Sequence, residues 1–237
     1  MRKLSGMKLR QYCRRLSTHA LSFGGRVAAA ANEAFRHRLV CGPEMLDLRQ
    51  FHTAVGRRIE TMAADLARRE KRLAREVARA EALRQERQRQ LAELRERLQG
   101  VVKTLTGAYG KEPIAAVLRL IWPLPADPRA LLQQAKRFLA ALVEADLALP
   151  EPRGGVVIDL PVLVHSFDQP IDYLGAVLGA LSECDSIVGL RRCERDAVAE
   201  ELQQEAGRAE RFFLAFCELA GEARLAERLR KSLRGSS

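Results

Sequence analysis

From Ile59 to Leu105, apolar residues fall on an alternating three-four spacing. One row of this pattern holds Ile59, Leu66, Leu73, Ala80, Arg87, Leu94 and Val101. The other holds Ala63, Glu70, Val77, Arg84, Leu91, Leu98 and Leu105. Eleven of these fourteen positions are apolar, and no proline interrupts them. A repeat of 3.5 residues keeps one stripe of a helix turned toward a partner, so the run predicts a long helix that packs lengthwise. Its outer faces carry Glu81–Arg84, Glu86–Arg89 and Glu93–Arg97 at the three- and four-residue spacings that bring side chains together.

A second stretch of similar length begins at Pro170 and closes at Gly221. Its stripe runs through Leu174, Val177, Leu181, Cys184, Val188, Arg191, Arg195, Val198, Leu202, Glu205, Ala209, Phe212, Phe216 and Leu219. Laid antiparallel to the first, it puts Leu105 near Leu174 and Ile59 near Leu219. In that register Arg84 and Arg87 lie near Arg195 and Arg191, an unfavourable meeting of like charges. Glu70, Arg84, Arg87, Arg191 and Arg195 are therefore the candidate interaction seam, where another chain could supply the missing counter-charges. The fold class is all-α: two long helices of about fifty residues, some 75 Å each at 1.5 Å per residue. They form an antiparallel coiled-coil-like hairpin or bundle, with a small helical subdomain between them. The expected organisation is a basic segment over 1–54 with short helices, partly disordered or a targeting segment. Long helix 1 follows over 55–110, the helical subdomain and a Pro/Gly-containing connector over 111–169, and long helix 2 with a basic tail over 170–237.

Composition supports long helices. Ala, Leu, Arg and Glu dominate, and aromatics are 5%. At 47% hydrophobic the chain can bury a core. The net charge of +10 is uneven: residues 1–112 carry 25 basic and 12 acidic side chains, residues 113–190 carry 5 and 9. Such a first half attracts nucleic acid, anionic lipid, an acidic protein or the chain's own acidic middle. Five cysteines, widely spaced and without a Cys-x-x-Cys pair, argue against a disulfide framework and a zinc site and suit a reducing compartment. The longest uncharged apolar runs, of about ten residues, are shorter than a bilayer requires.

Residues 1–32 contain no acidic side chain. Leu9, Tyr12, Leu16, Ala20 and Phe23 form an apolar stripe beside a cationic face, and Gly24-Gly25 should end that helix. Lys8, Arg10, Arg14 and Arg15 are the candidate basic arm. The arm reads as a mitochondrial transit peptide, a membrane-surface helix, a nucleic-acid arm or an ordinary amphipathic helix. Gly56 marks a candidate boundary before the long helix. Asp127-Pro128 is a helix start, with Asp as N-cap and Pro at the first helical position. Val162-Leu163-Val164, preceded by Pro161, could form a short extended segment, and Asp168 should cap the second long helix.

The sequence holds no phosphate-binding glycine loop, dinucleotide fingerprint or His-Glu-x-x-His. His165, Asp168 and Asp172 could meet as a metal or general-base set, and Cys193, flanked by Arg191, Arg192 and Arg195, could be a reactive thiol. Both are cheaper to explain as capping and incidental residues. The basic face from Arg68 to Arg97 lacks interleaved aromatics for base stacking and reads as a solvated helix face. No catalytic set, cofactor or metal site is implied. The leading expectation is a non-enzymatic, cytoplasmic structural or protein-interaction protein, self-associating or bound to a protein partner. The alternative is a basic adaptor for nucleic acid or an anionic membrane surface through its N-terminal segment, with a mitochondrial-matrix location if residues 1–32 are a transit peptide.

Overall fold

The structure, a computed structural model, describes residues 6–36, 48–112, 114–144 and 158–234. Most of these residues are helical, with no strand among the described residues. In chain order the helices are α1 (Gly6–Arg36), α2 (Leu48–Tyr109), α3 (Ala115–Ile121), α4 (Pro128–Glu144), α5 (Leu160–His165), α6 (Asp168–Leu219) and α7 (Ala223–Arg234). The chain divides into two compact units. Unit 1 joins the first 75 residues to those from Gly189 onward, and unit 2 is Glu76–Val188.

Unit 1 packs α1, the first half of α2, the second half of α6 and α7 around one core. Leu9, Leu16 and Ala20 of α1 meet Ile59 and Leu66 of α2, Leu202, Ala206 and Phe213 of α6, and Leu229 and Leu233 of α7. The apolar stripe that an in-plane membrane helix would need is thus used inside the protein. Gly24 and Gly25 do not end α1, which continues to Arg36. Gly24 instead allows close approach: a Cβ there would lie 2.7 Å from His52 Cβ. Gly56 likewise lies within α2, facing Ala20, so the long helix starts at Leu48 rather than after that glycine.

Unit 2 is built on Leu91, Leu94, Leu98, Val101 and Leu105 of α2, Val117 and Ile121 of α3, Leu131, Ala135 and Phe138 of α4, and Ile171 and Leu174 of α6. Local sequence sets its elements. Asp127 caps α4 by accepting the Ala130 N–H at 2.8 Å, and Pro128 opens the helix. Asp159 caps α5 in the same way through Val162 N–H at 3.0 Å. Residues 162–164 are therefore helical, not extended: Pro161 sits in a first turn, where its missing N–H costs nothing. Asp168 is the first residue of α6 rather than its cap, and Ile171 N–H is taken by the Phe167 carbonyl. The sequence also suggests a short extended segment over Val156-Val157-Ile158 and a helix break at Cys41-Gly42-Pro43; Val156, Val157 and residues 41–43 lie outside the described residues.

The long helices end as glycine chemistry predicts. Gly110 (φ 82) donates to the Thr106 carbonyl, a single αL closure of α2. Gly221 (φ 70) closes α6 with a Schellman pair, Glu222 N–H to Cys217 O and Gly221 N–H to Glu218 O. The three intrahelical pairs of α2 form, Arg84–Glu81 at 3.4 Å, Arg89–Glu86 at 2.8 Å and Arg97–Glu93 at 2.7 Å.

Within unit 1, contacts between α2 and α6 run in opposite order along the two helices, in a register different from the expected one. In unit 1, Arg58 meets Glu205 at 3.3 Å and Arg69 approaches Glu194 at 3.8 Å. In unit 2, Arg84 meets Asp185 at 2.6 Å and Cys184 Sγ lies 3.6 Å from the Glu76 carbonyl. The neighbourhood of Ile59 is level with Glu205, not Leu219, a slip of about two heptads. Heptad patterns repeat themselves at that interval, so apolar spacing cannot distinguish the two registers. Charge can: the observed register sets arginines beside carboxylates. The stripe of α6 also drifts. Phe213 and Cys217 are 1% exposed, where Phe212 and Phe216 were expected, because a 3.5 repeat rotates against a 3.6-residue helix.

By length and composition alone, one stretch within 160–219 is apolar enough to cross a membrane, which the short uncharged runs did not suggest. Of that stretch 28% is buried within the protein; Leu174, Val177, Leu181 and Cys184 are among the buried residues of α6.

Candidate basic docking groove

The five seam residues divide between the units: Glu70, Arg191 and Arg195 belong to unit 1, Arg84 and Arg87 to unit 2. Glu70 is held by Arg10 of α1 at 2.7 Å, so one member of the basic arm neutralises one member of the seam. Arg84 is shared by Glu81 and Asp185, and Arg191 pairs with Glu194 at 2.8 Å. Arg195 Nε lies 2.8 Å from Asp196 Oδ1 without hydrogen-bond alignment, and Arg87 Nε is buried without a hydrogen-bond partner.

His165 Nδ1 and Asp168 Oδ2 do meet, at 2.8 Å, but both side chains are exposed. Asp172 is exposed and no contact joins it to them. Among the described residues no group of three His, Cys, Asp or Glu could hold a metal ion. Cys193 is exposed, and Cys13, Cys184 and Cys217 are buried free thiols. Burial pushes the Cys13 thiol up to about 12 and, with Glu222 and Glu218 adding to it, the Cys217 thiol up to about 11.

What the fold does assemble is a groove between α1 and α7, within unit 1, of about 550 Å³. From α1 it takes Gln11, Arg14, Arg15, Thr18, His19 and Phe23; from α7 it takes Leu225, Arg228, Leu229 and Ser232. Local sequence explains each wall. Leu225, Leu229 and Leu233 recur at four-residue intervals and turn α7 onto the core, which lifts Arg228 to the rim. Gly221 reverses the chain from α6 into α7, and Glu218 and Glu222 clamp the junction. Arg230 holds Glu218 at 2.5 Å, and Arg26 grips Glu222 through Nε and Nη2 at 2.8 and 3.0 Å. Across the groove Arg15 donates to the Ser232 carbonyl. On the core side of α1, Tyr12 donates to Glu210 at 2.6 Å, and burial followed by that carboxylate drives its phenol well above its ordinary value.

The electrostatics of the groove are one-sided. Among the described residues no carboxylate lines it. Arg14 and Arg228 are exposed, and among the described residues neither has an ion-pair partner. His19 adds no charge at neutral pH: burial first, then His52, brings it down to about 4. Its ring lies tilted against Phe23, with centroids 5.3 Å apart, and against Phe213, at 6.2 Å. The groove lies in the more cationic unit, which has 27 Lys and Arg against 15 Asp and Glu; unit 2 has 13 against 15. Chemically, this is a set of guanidinium forks over a small apolar floor, suited to holding carboxylate or phosphate oxygens.

Of the sequence-predicted basic arm, Arg14 and Arg15 enter the groove, Arg10 is taken by Glu70, and Lys8 is exposed beside it in sequence. Arg228, His19 and Phe23 were missed as site residues. The signal for Arg228 was present in the Leu225–Leu229–Leu233 stripe, but nothing local says which helix that stripe would lie beside. Compared with family models, curated proteins and solved structures, the chain matches none.

Proposed function

We propose that this chain is a non-enzymatic protein-interaction scaffold. In this reading α2 and α6 act as an antiparallel, coiled-coil-like hairpin, and unit 1 docks an anionic partner through the arginine-lined groove between α1 and α7. The observation that carries the reading is the pair Arg14 and Arg228, two exposed cations facing one concave surface that no carboxylate among the described residues lines. On the long helices, several arginines are matched within the chain, Arg58 by Glu205, Arg84 by Glu81 and Asp185, and Arg191 by Glu194. The free thiols are consistent with a cytoplasmic setting, which is part of the proposal.

The test is binding of fluorescent dextran sulfate, a polyanion without sequence or fold, followed by anisotropy at two salt concentrations. Saturable binding that weakens steeply with salt, and drops at least tenfold in Arg14→Glu/Arg228→Glu, is the expected result. Equal binding by the double variant would remove the groove from the account.

Self-association is a second reading. It is favoured by large apolar side chains left exposed in unit 2, among them Trp122 at 58% and Val162 at 65%. Light scattering decides it: a molar mass that is a multiple of 26.5 kDa and insensitive to salt supports it, and a single-chain mass at high micromolar concentration removes it.

A further inference from the structure

Resting on the docking reading, we infer that the groove's occupant is an acidic helical segment of a partner protein, with one apolar anchor residue among its carboxylates. Three guanidinium groups, those of Arg14, Arg15 and Arg228, surround the groove, and Arg15 is already tied to the Ser232 carbonyl. Two forks, Arg14 and Arg228, therefore remain for the ligand. Carboxylates three or four residues apart on a helix lie on one face at neighbouring heights, a spacing suited to two separated guanidinium groups.

The floor sets the second requirement. Leu225 is 6% exposed and Leu229 1%, so they offer edges only; Phe23 is half-buried and supplies the rest. That floor takes one apolar side chain rather than a stripe. A helix with its side chains is about 10–12 Å across. A groove of 550 Å³ admits a few side chains from such a helix, not its whole body, so the segment lies along the groove and inserts one face.

Nucleic acid and bilayer fit less well. A phosphate backbone would engage Arg14 and Arg228 but has nothing to place against Phe23, and among the described side chains α1 and α7 offer no exposed aromatic for base stacking. A bilayer surface is flat at this scale and cannot follow a concave wall. The apolar stripe of α1, which would insert into lipid, is occupied by the core.

The experiment uses the full chain and three labelled probes at equal concentration and salt: a helical peptide with Glu at four-residue spacing around one Leu, a mixed-sequence DNA duplex, and vesicles containing phosphatidylserine. The expected result is saturable peptide binding that falls at least tenfold in Arg14→Glu/Arg228→Glu and severalfold when the peptide Leu is replaced by Ser. Helical content of the variant, by circular dichroism, must equal that of the parent. Should it fall, Arg14→Gln and Arg228→Gln replace it, and the same loss is expected in smaller measure. Variant-sensitive binding of DNA or vesicles without peptide binding overturns this inference and leaves the docking groove standing. No binding of any probe overturns both. Peptide binding indifferent to the arginines or to the Leu overturns the inference alone.

Discussion

Replacing Gly24 by alanine tests the packing of α1 on α2, on which the groove depends. In an open helix interior, glycine to alanine gains about 1 kcal/mol, because alanine has less backbone freedom to lose. At Gly24 the added Cβ would sit 2.7 Å from His52 Cβ and 3.2 Å from His52 Cγ. The nearest of these atoms is fixed to the α2 backbone, so a rotamer change cannot relieve it and the two helices must part. Overpacking of this kind costs about 1–3 kcal/mol. The cost outweighs the propensity gain, and Gly24→Ala should destabilise by up to about 2 kcal/mol. Gly189, in α6 of the same unit, is the control: a Cβ there meets nothing within 4 Å. Gly189→Ala should stabilise by up to about 1 kcal/mol. At about 2–4 °C per kcal/mol for a chain of this size, the midpoints of the two variants move in opposite directions by several degrees. Thermal unfolding by circular dichroism reads both. A Gly24→Ala variant as stable as Gly189→Ala would mean that α1 and α2 do not approach as described.

Other consequences follow from particular residues. His19 has a folded pKa of about 4 against an ordinary 6.5, so the unfolded chain takes up the proton first as pH falls. Stability should decline from pH 6.5 toward pH 4, by on the order of 3 kcal/mol, with the loss complete below that. His19→Phe keeps a ring beside Phe23 and Phe213 and should flatten that slope in urea unfolding; an unchanged slope contradicts the assignment. Arg84→Glu alone should cost no more than about 1 kcal/mol, since the pair with Asp185 is largely exposed. Combined with Asp185→Arg it should recover part of the loss, and a double-mutant cycle with zero coupling would count against the α2–α6 register. Leu16→Ala, at a fully buried position, should destabilise by about 2–5 kcal/mol. An effect under about 0.5 kcal/mol would indicate that α1 is a detachable arm.

Much of this fold is legible in the chain. The apolar spacing of residues 59–105, the Asp127-Pro128 start and the Glu–Arg pairs of α2 are local signals, and local physics realises them. The amphipathic stripe of α1 is equally local, but its destination is not: the same stripe serves a bilayer or a protein core, and only Ile59, Leu202 and Phe213 decide for the core. Gly24-Gly25 reads as a stop because glycine favours αL closure, yet neighbours that need the space of a missing Cβ hold it in the helix. The α2–α6 register was illegible because heptads look alike after a two-repeat slip. The groove was half legible. Arg14 and Arg15 stand out by charge, whereas their meeting with Arg228 depends on the turn at Gly221 and on α7 lying beside α1.

The most direct test of the docking groove is hydrogen exchange of the full chain with and without the acidic helical peptide. Slowed exchange confined to α1 between residues 11 and 23 and to α7 between residues 225 and 232 is the predicted result. Protection centred on the basic face between Arg68 and Arg97, or no protection at saturating peptide, would contradict it.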